Sequence, residues 1–337
     1  MKKKIWLLSA ALLLTCVGWA AKSYFSQNSQ PTITTKIVEA ATQPTAPSKR
    51  EAGKVFMIKE ISPSALVKIY QALGEEAQGR VAIKMHMGEA GNKNYLSAEL
   101  VRELAVLTKG SFVDSNTYYG GSRASTAAHL QTAKDHGFTY APVDILDAEG
   151  EISIPINGGK RLDKALVGSH YANYDYIVSI AHFKGHAMAG FGGSFKNMAI
   201  GIASVNGKGA IHRNSNGGGM WSSSGEAFFE KIAEYTKAIA DDKKGKIIYI
   251  NVLNNLSVDC DCDANAAHPQ MSDIGILASF DPVAIDKASV DLVYASPDEG
   301  RKHLIERIES RKGTYLLNYA ESIGMGTQKY TLVKLDE

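Results

Sequence analysis

Three cysteines in 337 residues, Cys16, Cys260 and Cys262, are too few for a disulfide scaffold or a four-cysteine iron–sulfur motif. Only one residue separates Cys260 from Cys262, so a bridge between them departs from relaxed disulfide geometry. A basic excess is missing as well. The formal charge is +2, and Lys2, Lys3 and Lys4 alone supply three positive charges, leaving 2 − 3 = −1 for the rest. That balance excludes a broad basic field for nucleic acid. There is no internal repeat, and no linker-like composition after residue 54. One absence is local: between His182 and His212 the chain has no Asp or Glu, yet it carries Lys184, Lys196, Lys208, His186 and seven glycines there. So much nitrogen and bare backbone without acid marks a place for something anionic or metallic, or else a glycine-rich turn with a helix behind it.

The opening "MKKKIWLLSAALLLTCVGWAAKSYFSQ" has a basic start, an apolar run from Ile5 to Ala21 and small residues at its end. This is the anatomy of a secretory signal, with Gly18 and Ala20 placed for cleavage. The run is near the lower length for a membrane span, so an uncleaved anchor is the alternative. Either way, export beyond the inner membrane is expected, to a periplasmic or other extracytoplasmic site, with membrane contact only through residues 5–21. Residues 22–53, rich in Gln, Thr, Ser, Pro and Ala, read as a disordered linker.

From Lys54 onward, strand and helix patterns alternate. "GRVAIKMHMG" and "YDYIVSIAHF" read as buried strands, and "SAELVRELAVLTKG" reads as a helix with a serine cap and a glycine stop. "DPVAIDKASVDLVYAS" is a helix that Asp281 can cap with Pro282 at its first position. This order predicts one α/β domain over residues 54–337, with a largely parallel or mixed central sheet flanked by helices.

Ligands of open α/β sheets gather at the carboxyl ends of strands. His86 and Glu89, then Asp114 and Asn116, then His182, Lys184 and His186, then Cys260 and Cys262, and finally Asp281 all follow strand patterns, so five strand ends could converge. Gly185 argues against a helix carrying both His182 and His186, which are expected on a strand-end loop. The run "CDCD" offers two thiols and two carboxylates, and imidazoles could add to them as ligands of a borderline or soft metal. "GFGGSFKN" places Gly190, Gly192 and Gly193 before a helix that Ser194 could cap. Its free N–H groups, with Lys196 and Asn197 nearby, would attract an anion. It is neither a Walker A loop nor a good G-x-G-x-x-G motif.

Taken together, "KMHMGEAGNKNYLSAELVREL", "DSNTYYGGSRASTAAHLQTAKDHGF", "HFKGHAMAGFGGSFKNMAIGIAS", "VDCDCDA" and "DIGILASFDPVAIDKASVDLV" resemble domain-of-unknown-function family 362 (DUF362), often labelled iron–sulfur centre proteins. The phrases span most of residues 54–296 in the family's order. Many members carry a ferredoxin-like module after the region matching His212. Here "NSNGGGMWSSSGEAFFEK" stands in that place without a cysteine, so the sequence reads as a short form and the iron–sulfur label does not transfer through that module. For the shared core the resemblance implies no biochemical role.

Three functional readings follow. In the first, the core binds a metal (iron, nickel or zinc) or a metal-containing cofactor and performs redox or cofactor-handling chemistry, with a separate electron-transfer protein as partner. Its metal ligands would be His182, His186, Cys260 and Cys262, with His86 and His212 in reserve. Lys184, Lys196 and the glycine loop, with Asn116, would hold an anionic part of the ligand. In the second, the same loop captures a small anionic solute without catalysis. In the third, a metal-free enzyme uses His182 or His186 for acid–base work and Lys184 to stabilise negative charge.

Overall fold

The structure of the chain, a computed structural model, describes residues 35–37, 53–214 and 217–336. The expected signal or anchor at 1–21 lies outside these residues, as does most of the expected linker 22–53. Within that linker Thr35–Ile37 forms a short strand, β1.

The chain then runs through β2 (Lys54–Ile58), α1 (Pro63–Ala72), β3 (Val81–Lys84), α2 (Ala98–Thr108), β4 (Ser111–Asp114), α3 (Thr126–Asp135) and β5 (Val143–Ile145). A hairpin of β6 (Glu151–Pro155) and β7 (Lys164–Gly168) precedes β8 (Tyr176–His182). Next come the small hairpin β9 (Lys184–His186) and β10 (Gly190–Gly192), then α4 (Ser194–Ile202), α5 (Val205–His212) and α6 (Gly225–Asp242). The last part holds β11 (Ile247–Leu253), β12 (Gly275–Ser279), α7 (Pro282–Ala295), α8 (Arg301–Ser310), α9 (Tyr315–Ser322) and β13 (Thr331–Lys334).

Nine strands form one sheet in the order β1-β13-β2-β12-β11-β8-β3-β4-β5. Every neighbouring pair is parallel except the two made by β12, which runs against both β2 and β11. The fold is therefore α/β with a mixed, largely parallel sheet.

Alternation along the strands divides the core between the two faces. Val178 and Ile180 of β8, with Ile248 and Ile250 of β11, pack with α1 and α2 through Leu66, Ile69, Val101 and Leu104. Ile177, Ile247 and Tyr249 face the other way, toward Phe195 and Met198 of α4 and Ile232 of α6. Full burial of each such side chain contributes roughly 1.5–3 kcal/mol. The cap signals act as the sequence suggests. Ser97 accepts from the Leu100 N–H at 3.3 Å, and Asp281 accepts from Val283 and Ala284, each at 2.9 Å. At the end of α2, Lys109 and not the following glycine takes the left-handed position (φ 50°). Gly110 is needed beside it, because a Cβ there would come within 2.7 Å of Ile83 Cγ1. Among the described residues no helix is long and apolar enough to cross a membrane.

Candidate functional site

Strands β11, β8, β3 and β4 are adjacent and parallel, so their carboxyl ends share one edge of the sheet. Over that edge lies a cavity of about 450 Å³. β3 delivers Lys84 and His86, β4 delivers Asp114, β8 delivers His182, and the loop after β11 delivers Cys260 and Cys262. β12 runs the opposite way, so Asp281 ends at the opposite edge. The expectation that five strand ends converge is corrected to four, because strand direction is set by long-range pairing that the local sequence does not display.

The loop carrying the cysteines is docked on the β9–β10 hairpin. Gly185 N–H donates to Ser257 O at 2.7 Å, and a Cβ on Gly185 would lie 2.2 Å from Val258 O. This close approach brings His186 to the thiols: one of its ring nitrogens and the sulfurs of Cys260 and Cys262 lie within 4.8 Å of one another. Cys262 hydrogen-bonds to Cys260, and with Lys196 and Lys184 beside it this holds the Cys260 thiol well below its usual pKa. The partner Cys262 is pushed well above, first by that same hydrogen bond and then by burial. These shifts favour one thiolate, at Cys260, within the pair, with Lys196 Nζ 3.9 Å from Cys260 Sγ. Tyr119 hydrogen-bonds to Cys262.

His182 stands outside this cluster. Its Nδ1 faces Asp261 Oδ1 at 2.8 Å and its Nε2 lies 2.6 Å from Asn254 O, so both nitrogens are engaged and neither is open to a metal. Asp261, the carboxylate between the two cysteines, is not a ligand either. Its other oxygen takes Lys184 Nζ at 2.8 Å, and His182 and Lys184 together overcome burial to hold the carboxyl far below its usual range. The second carboxylate of "CDCD", Asp263, accepts from the Asn265 N–H.

The glycine loop also differs from expectation. Gly190 and Gly192 are strand residues paired with His186 and Lys184. Gly193, not Ser194, is the N-cap of α4, and Ser194 Oγ lies 2.8 Å from Asn251 Oδ1. The N–H groups at the helix start are already taken, since Ser194 and Phe195 donate to Asp286 at 2.7 and 3.2 Å. A buried carboxylate of the chain's own thus fills the anion position expected for a ligand, and burial raises its pKa to about 6. Gly192, Gly193, Lys196 and Asn197 still border the cavity, whereas Gly190 and Ser194 do not. Nor does Asn116, whose N–H donates to Asp147 and whose side-chain amide donates to Thr126.

His86 and His212 line the cavity but are not part of the thiol cluster. His86 Nδ1 accepts the Gly88 N–H at 2.9 Å, so the proton of its neutral ring sits on Nε2, which is buried without a partner. Burial, reinforced by Arg123, keeps this ring neutral. His212 is lowered to about 4 by burial, and its ring packs beside Tyr118 and Trp221. His186 is likewise held neutral by burial and Lys196. Its Nδ1 accepts from Met188 and Ala189, which assigns the ring proton to Nε2.

The sequence patterns do not single out Lys84, Arg123 or the aromatic wall, and they mark Lys208 only as part of the nitrogen-rich stretch. Lys84 pairs with Asp114 at 3.2 Å, and Arg123 with Glu89 at 3.0 Å. A lysine inside the apolar strand "VAIKM" was a readable signal, because such a residue is almost never buried without a partner.

A family model described as "Domain of unknown function (DUF362)" matches residues 81–291. No curated protein matches the chain. Among solved structures, the lactate racemase apoprotein from Thermoanaerobacterium thermosaccharolyticum is similar at 16% identity and a TM-score of 0.44, over 71% of this chain and 57% of that one. A protein from Thermotoga maritima is similar at 11% identity and a TM-score of 0.39, over 68% of this chain and 57% of that one. The chain thus spans less than two thirds of either.

Proposed function

The chain belongs to the DUF362 family, and we propose that it binds a small anionic organic molecule or cofactor in the cavity over the β11–β8–β3–β4 edge. One observation carries this reading: among the described residues Lys84, Arg123, Lys184, Lys196 and Lys208 line the cavity, against the single carboxylate Asp114. Even when Glu89 and Asp261 behind the wall and the thiolate favoured at Cys260 are counted, five positive charges face four negative ones. Burying that surplus without a counterion is costly. The partnerless Nε2–H of His86 adds a donor that an anion would satisfy. Tyr118 and His212, near parallel, with Trp221 set edge-on to both, offer an aromatic corner for the organic part of the ligand.

The donor set at the thiol end fits a borderline or soft metal: two sulfurs, one already favoured as thiolate, with an imidazole beside them. Two features limit how such an ion enters. Lys184 and Lys196 repel a bare dication, and His186 can ligate through Nε2 only if its proton moves to Nδ1 and two backbone hydrogen bonds break. Cys260 and Cys262 would therefore hold a metal only with the anion also bound, and the ion would supply Lewis-acid or redox chemistry there. In the redox case a separate electron-transfer protein is the partner. In the same proposal residues 1–21 direct the domain out of the cytoplasm, as a cleaved signal or as an anchor.

The test is a thermal-stability panel of phosphate, nucleotides and short carboxylates, each with and without zinc, nickel or iron, accompanied by metal analysis of the purified protein. A ligand at ~100 times its Kd should stabilise by about 2.7 kcal/mol. Lys196→Ala should lose that gain. If no anion stabilises the protein, with or without metal, the reading fails.

A further inference from the structure

Lys208 is the cavity cation whose surroundings differ from those of the other four. It sits on α5 with 5% of its surface exposed, and its ammonium nitrogen donates to the Ala203 carbonyl at 2.7 Å. Among the described residues no carboxylate lies within 4.0 Å of it. Lys84, Lys184 and Arg123 each hold a carboxylate, and Lys196 lies against the Cys260 sulfur. A carbonyl also accepts a hydrogen bond from a neutral amine, so this contact does not require Lys208 to be charged. The electrostatics act in the same direction. Burial lowers its pKa to about 8; Asp114 and Asp147 act against the shift and Lys84 and Arg123 with it, so burial is the deciding cause. Buried amines beside other cations are the ones that react as nucleophiles near neutral pH.

We propose that Lys208 is a reactive amine that forms an imine with an anionic aldehyde or ketone, such as a 2-oxo acid, bound in this cavity. The inference rests on the anion-binding reading and names its substrate class. Lys84, Arg123, Lys184 and Lys196, which keep their charge when Lys208 is a neutral amine, draw in the carboxylate, and the amine meets the carbonyl. The nitrogen lone pair attacks the carbonyl carbon while the C=O π pair moves to oxygen. Both amine protons then leave with that oxygen as one water, and a C=N bond remains.

The experiment treats the full chain with glyoxylate or pyruvate and cyanoborohydride, which delivers hydride to the imine carbon and fixes the adduct as a secondary amine. Peptide mapping then locates it. The expected result is an adduct at Lys208 above the background set by exposed lysines such as Lys302. It should rise with pH through about 8 and exceed labelling by the uncharged acetaldehyde. Lys208→Arg keeps the charge but cannot form the imine, and it should remove this adduct. The wild-type map decides the question even if that variant misfolds. Labelling confined to other lysines, or equal labelling by acetaldehyde, overturns the proposal. If anions stabilise the protein while Lys208 stays unmodified, only this inference falls. If anions also fail to stabilise it, the binding reading falls with it.

Discussion

The Lys196 ammonium lies 3.9 Å from the Cys260 sulfur, and this contact ties the charge of α4 to the thiol pair of a loop that follows it by some sixty residues. The Cys260 thiolate is favoured first by the hydrogen bond from Cys262 and then by Lys196 and Lys184. In Lys196→Met the inflection of thiolate ultraviolet absorbance should move to higher pH, and in Cys262→Ala it should move further. An inflection that stays in place in both variants would show that Cys260 is not held as a thiolate by these groups.

Asp261 joins His182 and Lys184 with almost no exposure to water. Asp261→Asn leaves Lys184 as an uncompensated buried charge and should cost roughly 3–5 kcal/mol in denaturant unfolding. The pH sign follows from the depressed pKa of the folded carboxyl. Its contribution is present above the unfolded carboxyl's pKa and is lost as pH falls toward the lower folded one. The variant should therefore lose much of the wild type's acid dependence, and a gap that is the same at neutral and strongly acid pH would contradict the assignment.

Asp286 carries the opposite sign. Burial raises its folded pKa to about 6, above the ordinary Asp value, so its contribution is full below that ordinary value and is lost as pH rises through about 6. Relative to Asp286→Asn, the wild type should lose up to about 3 kcal/mol between acid and neutral pH. Parallel unfolding curves at the two pH values would rule this out.

Gly201 faces the Lys84 side chain so closely that a Cβ would lie 2.1 Å from Cε and 2.2 Å from Nζ. A long side chain can often step aside. This one is fixed by Asp114 at 3.2 Å, Asn197 Oδ1 at 3.0 Å and Met85 O at 3.2 Å. Gly201→Ala should cost about 1–3 kcal/mol by overpacking and should weaken any anion-dependent stabilisation. A variant as stable and as responsive as wild type would mean that the Lys84 position is not fixed.

Much of the fold was legible from local patterns: the caps at Ser97 and Asp281, the alternation of strands with helices, and the strand ends carrying His86, Asp114, His182 and Cys260. What could not be read depends on partners distant in sequence. Nothing near "DIGILASF" states that its strand enters the sheet reversed. Nothing near "GGSFKN" states that a carboxylate 92 residues later will occupy the helix start. The glycine run reads either as open backbone for an anion or as a closely packed helix start, and Asp286 occupies that start. The "KGH" and "GFG" segments are too short and too rich in glycine to announce themselves as paired strands. The thiols and an imidazole do lie together, but the nearby imidazole is His186, because His182 is hydrogen-bonded to Asp261 and to the Asn254 carbonyl.

Trp221, beside the cavity, is 45% exposed, with its ring 4.9 Å from that of His212 and 5.8 Å from that of Tyr119. The other two tryptophans of the chain, Trp6 and Trp19, both precede residue 22. A form of the protein beginning after the apolar run has therefore a single indole, and it stands where a guest would enter. Its emission reports one location without any label. Titration of the cavity can be followed by a shift in colour and by protection from an aqueous quencher, on the same sample and at the same concentrations used to measure stability.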